Sequence, residues 1–245
     1  STDRWDTAEH LDEHPRRRTP TGREVRARHD VMTLVDGEAA GALSEIARGR
    51  WQDATSERVE PVRTEHDPWP EDLAPDLAGV RVGFARTEPA WRGRSGVRES
   101  ELLHLEAIHR ARKVIHLENQ YLTSPLVASA IAGRLQEKDG PEVVVVTTGR
   151  SPSWFDQATM DRARTALFER IRSSDKYGRF SAFTPLTPNG TPIIVHSKVA
   201  TIDDVLVRVG STNLNNRSAG FDTELDAAFE AVGPDDPVTR FAPRL

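Results

Sequence analysis

The 245-residue chain contains no cysteine, only two tyrosines and two methionines, and no long hydrophobic run. The absence of cysteine excludes a disulfide scaffold, a cysteine nucleophile and a thiolate metal site. No apolar stretch approaches the ~20 residues that a transmembrane helix requires. We therefore expect a protein that is soluble and at most peripheral to membranes, either an exported bacterial protein or a cytoplasmic one.

An excess of positive charge is also lacking. The 33 basic and 38 acidic residues leave a net charge of −5, so a nucleic acid would have to find a local basic patch. We expect no nucleic-acid partner. Hydrophobic residues make up 37% of the chain, which is enough for a folded core.

The distribution of proline and the alternation of apolar segments indicate how the chain is organised. Residues 56–78 carry four prolines among acidic residues and are typical of a linker. Beyond them, segments with strand and helix periodicity alternate, which predicts a layered α/β domain over residues 79–245. Predicted strands are 80–86, 113–118, 143–146, 179–183, 193–202 and 205–209, and predicted helices are 98–112, 125–138 and 153–173. Before the linker we predict a short strand over 29–35 and a helix that begins after Asp36 and ends near Trp51.

One predicted strand carries residues suited to catalysis. In Ile193–Asp203, the two-residue period of a strand places His196 and Lys198 on the same face, so that an imidazole and an ammonium share one pocket. Asp203 lies at the turn that follows, where a carboxylate is better placed to support the hairpin than to touch substrate.

A second group of polar residues follows the next strand. Gly210, Ser211 and Asn213 could hold phosphate oxygens through backbone N–H groups and side-chain donors. Glu224 could hydrogen-bond a histidine nitrogen and so fix its tautomer. Histidine, lysine and asparagine together suit phosphoryl transfer without a metal or cofactor, and we predict none. The other histidines lack metal-ligand spacing and are interpreted as surface or structural residues.

The spacing His-x-Lys-x4-Asp, followed by Gly-Ser-x-Asn, resembles the repeated motif of the phospholipase D superfamily. Two further segments support the resemblance. Residues 117–122, Leu-Glu-Asn-Gln-Tyr-Leu, are similar to the strand that opens the second half of phospholipases D. Residues 4–7, Arg-Trp-Asp-Thr, with the later His29-Asp30, resemble the sequence that follows the first motif.

The resemblance implies a layered α-β-α sandwich, an α/β fold with a mixed central sheet. It also implies a chain that corresponds to the C-terminal part of a two-motif enzyme, with the first motif missing and residues 1–55 forming the end of the first half. In the family, one histidine forms a phosphohistidine and the other acts as acid and base. By this resemblance His196 is the general acid, with Lys198 and Asn213 on the phosphate. Gln120 and Tyr121 are expected to form part of the substrate wall.

Several functions fit these residues. The leading prediction is hydrolysis or transphosphatidylation of phospholipid head groups, with the Glu-Asn-Gln-Tyr segment favouring the phospholipase branch. The alternatives are a cardiolipin synthase-like or nuclease-type phosphodiesterase, and a catalytically inert fragment or partner half that needs a second chain. The expected partners are a phospholipid, the missing half or a second copy, and a membrane surface, for which Trp69 and Trp91 are the candidate contacts.

Overall fold

The structure is a computed structural model that describes residues 5–62, 69–149 and 157–245. Its strands are β1 (Arg28–His29), β2 (Val82–Glu88), β3 (Val97–Arg98), β4 (Val114–Asn119), β5 (Glu142–Val146), β6 (Phe180–Phe183), β7 (Ile194–Val195), β8 (Lys198–Ile202), β9 (Leu206–Gly210) and β10 (Glu224–Glu230). Its α-helices are α1 (Gly37–Thr55), α2 (Glu99–Arg110), α3 (Pro125–Gln136), α4 (Arg162–Ser174) and α5 (Pro237–Phe241). A π-helical turn, Gln157–Asp161, precedes α4, and a 3-10 turn, Ala242–Arg244, follows α5.

An eight-stranded sheet in the order β3-β2-β10-β9-β8-β4-β5-β6 forms the centre of the fold. Strands β4, β5 and β6 are parallel, and the other neighbouring pairs are antiparallel. Strands β1 and β7 form a separate parallel pair. The sheet is therefore mixed, as predicted.

Both faces of the large sheet are covered. Helices α2, α3 and α4 pack beside one another, and their apolar side chains join a core that includes Ile115 and Val143. A second core around Val199 and Val207 is covered by α5 and the 3-10 turn. The run of valines in β5 alternates between buried and half-buried positions, as expected for a strand inside a layered fold. The predicted α/β sandwich is confirmed.

Several predicted boundaries differ from the structure. The strand predicted over 29–35 is limited to Arg28–His29, and α1 continues past Trp51 to Thr55. The strand predicted over 193–202 is interrupted at 196–197, where the chain passes from the small sheet to the large one. Strand β10 was not predicted, because Glu224, Asp226 and Glu230 interrupt its apolar pattern.

Parts of three predictions lie outside the described residues: the start of the helix predicted over 153–173, the middle of the proposed linker, and Arg4. Within the described ranges, no helix combines the length and apolar character needed to cross a bilayer.

Candidate active site

The segment that carries His196 is fixed from two sides. The backbone N–H groups of His196 and Ser197 both donate to the His29 carbonyl, at 2.7 and 3.2 Å. On the other side, the Thr148 hydroxyl replaces a strand partner, because it accepts from the Val195 N–H at 3.0 Å and donates to the Val195 carbonyl at 3.1 Å. The interruption of the strand therefore leaves His196 in a defined position.

His196 forms a close pair with an N-terminal carboxylate. The His196 Nδ1 atom lies 2.8 Å from Asp30 Oδ2, and the two side chains are 17% and 29% exposed. Burial opposes ionisation of Asp30, but the hydrogen bond with His196 and the charges of His196 and Lys198 outweigh it and lower the pKa of Asp30. Asp30 therefore remains an anion that orients the imidazole.

Lys198 lies against the same segment. The residue is 5% exposed, and its Nζ donates to the His196 carbonyl at 2.5 Å. Since Asp30 interacts electrostatically with both His196 and Lys198, the three side chains belong to one site. The structure thus brings the two residues predicted to share a pocket together with a third that was not predicted.

Asp30 occupies the role that was predicted for Glu224. The Glu224 Oε2 atom accepts a hydrogen bond from the Ser211 hydroxyl at 2.5 Å instead, and burial raises the pKa of Glu224. Asp30 lies 166 positions before His196 in the sequence, so periodicity could not connect them. The only available signal was its place in the His29-Asp30 pair of the N-terminal segment.

Asp203 has a structural role in this fold. Its carboxylate accepts the backbone N–H groups of Arg112, Lys113 and Val114 at 2.7 to 2.9 Å. Its own backbone has a φ of 50°, in the left-handed region. Asp203 therefore anchors the start of β4, in agreement with a support role and in place of direct contact with a substrate.

The backbone N–H groups of the two residues after β9 are hydrogen-bonded within the protein. The Ser211 N–H donates to the Leu225 carbonyl at 3.0 Å, and the Thr212 N–H donates to Asp226 Oδ1 at 3.3 Å. These two amides are not available for the predicted phosphate contacts through backbone N–H groups. The Ser211 hydroxyl is also engaged, because it donates to Glu224 Oε2 and accepts from the Leu225 N–H at 3.1 Å. The predicted phosphate donor that remains here is the side chain of Asn213.

Gly210 is required by a buried ion pair behind this loop. Arg208 and Asp226 are joined at 2.8 Å, and both are almost fully buried. Burial opposes ionisation of Asp226, but Arg208 outweighs it and lowers the pKa of Asp226 to about 2. A Cβ atom at Gly210 would overlap Asp226 Oδ1. Arg208 also donates to the Thr212 carbonyl at 3.0 Å, so the pair fixes the path of the loop that carries Ser211 and Asn213.

A buried amide ties the predicted substrate wall to the same loop. Asn119 Nδ2 donates to the Thr212 carbonyl at 3.3 Å, and its Oδ1 accepts from the backbone N–H groups of Tyr121 and Leu214 at 3.2 and 3.1 Å. Tyr121 and its neighbour Gln120 are half-buried just beyond β4. Their role as a substrate wall stays a prediction.

A second histidine–carboxylate pair lies next to the first. His29 Nε2 is 2.9 Å from Glu118 Oε2, and His29 Nδ1 is 3.4 Å from His10 Nε2. His10 in turn contacts Asp6 Oδ2 at 3.2 Å. The hydrogen bond to Glu118 outweighs desolvation and raises the pKa of His29. This network holds the N-terminal segment against β4 and so positions Asp30 beside His196.

The arrangement defines an α/β domain with an oriented histidine and a buried lysine at the junction of two sheets. Residues 104–234 match the family model described as cardiolipin synthase, PLD-like domain, which covers more than half of the chain. The chain therefore belongs to the phospholipase D superfamily, whose members are phosphodiesterases or transferases.

The solved structures that are similar to this chain include two bacterial proteins of nuclease-like name and one synthase. Nuc from Salmonella typhimurium, described as a phospholipase D family member, is 20% identical over 67% of this chain and 90% of its own, with a TM-score of 0.48. NucT from Helicobacter pylori is 20% identical over 67% of this chain and 92% of its own, with a TM-score of 0.47. Phosphatidylserine synthase from Haemophilus influenzae is 13% identical over 87% of this chain and 46% of its own, with a TM-score of 0.52. The chain thus spans less than half of the synthase, with which it shares a fold. No curated protein matches the sequence.

Proposed function

We propose that this chain supplies one of the two catalytic motifs of a phosphodiesterase that hydrolyses or transfers phospholipid head groups through a phosphohistidine. The observation that carries the proposal is the 2.8 Å contact between His196 Nδ1 and Asp30 Oδ2 beside the buried Lys198. An imidazole held in this way has a fixed tautomer, as a general acid requires.

In the proposed reaction, a histidine of the complementary motif attacks phosphorus and forms a P–N bond. The bond to the leaving alcohol breaks, and the alcohol oxygen takes the proton from His196 Nε2. Water, or a second alcohol, then gives a proton back to Nε2 and attacks the phosphorus atom of the phosphohistidine. The P–N bond breaks, which frees the complementary histidine and releases phosphatidic acid or a new diester. Lys198 and Asn213 stabilise the charge on the phosphoryl oxygens, and the Ser211 hydroxyl lies beside them. Asp203 supports the fold of this site.

The complementary histidine comes either from a preceding half of the same protein or from a second copy of this chain. In the first case, residues 1–55 are the end of that half and 56–78 connect it to residues 79–245. The anchoring of the N-terminal segment by the His29–Glu118 pair favours this division, because residues of the preceding half then complete the second site. A membrane surface is the proposed location of the substrate.

The test is release of choline from phosphatidylcholine vesicles, run beside hydrolysis of bis(p-nitrophenyl) phosphate, a diester without a lipid part. With the complementary histidine present, in the full protein or in a dimer of this chain, we expect both reactions and a loss of roughly 10²–10⁴-fold in His196→Asn. His116→Asn is the matched control, since His116 is a half-buried histidine of β4 outside the site, and its activity should be unchanged.

Results other than these would favour a different function or overturn the assignment of His196. Hydrolysis of the simple diester alone would favour the nuclease-type branch over a phospholipase or a cardiolipin synthase-like enzyme. Inactivity toward both, at chain concentrations where dimers would form, would favour the inert partner half. Activity that persists in His196→Asn would overturn the assignment of His196.

A further inference from the structure

A groove of about 340 Å³ opens beside the candidate site and has no role in the reaction described above. It lies between the segment that follows Asp30, helix α1, and one face of the large sheet. Its principal lining residues are Val31, Met32, Leu43, Phe84, Val209 and Ala227.

The floor of the groove follows from strand register. Ala227 of β10 is the register partner of both Phe84 in β2 and Val209 in β9, so the three residues form one row across the sheet. The small alanine lies between two larger apolar side chains. The row therefore dips at its centre, which gives an apolar channel across the strands.

The groove is continuous with the site. Val31 directly follows Asp30, the carboxylate partner of His196, and Ser211 lines the groove at the end of β9. A molecule whose phosphate contacts His196 would therefore have its adjoining substituent at the mouth of the groove.

The chemistry of the lining discriminates between the substituents of a phosphodiester. The side chains that line the groove, all within the described ranges, carry no charge, and their only polar groups are the hydroxyls of Thr33 and Ser211. A nucleic acid would bring further phosphates and would need lysine or arginine along its path. A hydrocarbon chain needs apolar walls, and the unbranched thioether of Met32 adapts well to such a ligand.

We propose that this groove binds the first part of a fatty acyl chain of the phosphodiester substrate. The inference rests on the proposed function and adds to it the place where the lipid part of the substrate binds. A volume of about 340 Å³ is near the lower end of ligand pockets, so the groove takes a segment of one chain while the rest of the lipid remains outside.

The test is equilibrium binding of monoalkyl phosphates from methyl to octyl phosphate, measured by calorimetry below the concentrations at which they form micelles. This readout does not depend on turnover. Burial of a methylene is worth about 0.8 kcal/mol, so the Kd should fall by up to about fourfold for each added methylene until the groove is filled.

Two variants test the location. Met32→Glu places a carboxylate at the rim, where Met32 is 89% exposed, and should reduce octyl phosphate binding to the level of methyl phosphate. Ala227→Phe should do the same by filling the dip. Leu34→Glu is the matched control, because Leu34 is exposed in the same segment and does not line the groove, and its binding should equal that of the unmodified chain.

The outcomes separate the groove from the proposed function. An affinity that does not change with chain length, with methyl phosphate binding still lost in His196→Asn, would overturn the groove and leave the function standing. A chain-length dependence that Met32→Glu removes, with no effect of His196→Asn, supports the groove and contradicts the phosphate site. If Met32→Glu changes the mass of the oligomer and not the affinity, a second copy occupies the groove and the inference is wrong.

Discussion

Two ion pairs in this molecule have the same separation and different surroundings. His196 and Asp30 are joined at 2.8 Å and retain 17% and 29% exposure, whereas Arg208 and Asp226 are joined at 2.8 Å with 2% and 0% exposure. A pair that remains in contact with solvent can exchange protons with a substrate. A pair sealed in the core holds the loop in place and carries no chemistry. Burial, and not distance, therefore distinguishes the pair that we propose to be functional from the structural pair.

The largest effect on stability should come from breaking the core pair. Arg208→Met leaves the Asp226 carboxylate buried without its partner, so we expect the free energy of unfolding to fall by about 3–5 kcal/mol. Chemical denaturation measures this change. Arg217→Met is the matched control, because Arg217 pairs with Asp222 at the surface, where such a pair is worth at most about 1 kcal/mol.

The same pair predicts a pH dependence with a definite sign. The folded state holds the pKa of Asp226 at about 2, below its ordinary value of 3.8, because Arg208 favours the carboxylate. A lowered folded pKa gives stability that is complete above pH 3.8 and is lost as the pH falls toward 2. The stability difference between the unmodified chain and Arg208→Met should therefore shrink over that interval. A difference that is constant with pH would contradict the ionised pair.

A smaller effect is expected where the core pair meets the site. Gly210→Ala would force a methyl group against Asp226 Oδ1 and the Leu225 carbonyl, so we expect a loss of about 1–3 kcal/mol in the free energy of unfolding. Gly133→Ala, in α3 with open space around the added Cβ, should instead be neutral or stabilise the protein by up to about 1 kcal/mol. Thermal unfolding of the two variants compares them, and equal Tm values would contradict the close approach at Gly210.

The comparison also explains which features could be predicted from the sequence. His196 and Lys198 stand two residues apart in an apolar strand, so local periodicity was enough to place them together. Their partners lie elsewhere: Asp30 is 166 positions from His196, and Arg208 reaches Asp226 across neighbouring strands. Strand β10 was not predicted for the same reason. A carboxylate such as Asp226 is expected at the surface, and the sequence alone does not show that Arg208 pairs with it in the core. The local pattern located the candidate residues His196 and Lys198, and only the tertiary structure shows which charged residues lie beside them.

Asp30 and His196 should act as one unit, and a double-mutant cycle tests this coupling most directly. The rate of diester hydrolysis is measured for Asp30→Asn, His196→Asn and the double variant, with the free energy of unfolding as the control for folding. If Asp30 acts through His196, Asp30→Asn alone should lower the rate by about 10²-fold, and it should cost nothing further once His196 is replaced. Independent losses that multiply in the double variant would show that the two residues act separately and would contradict the account.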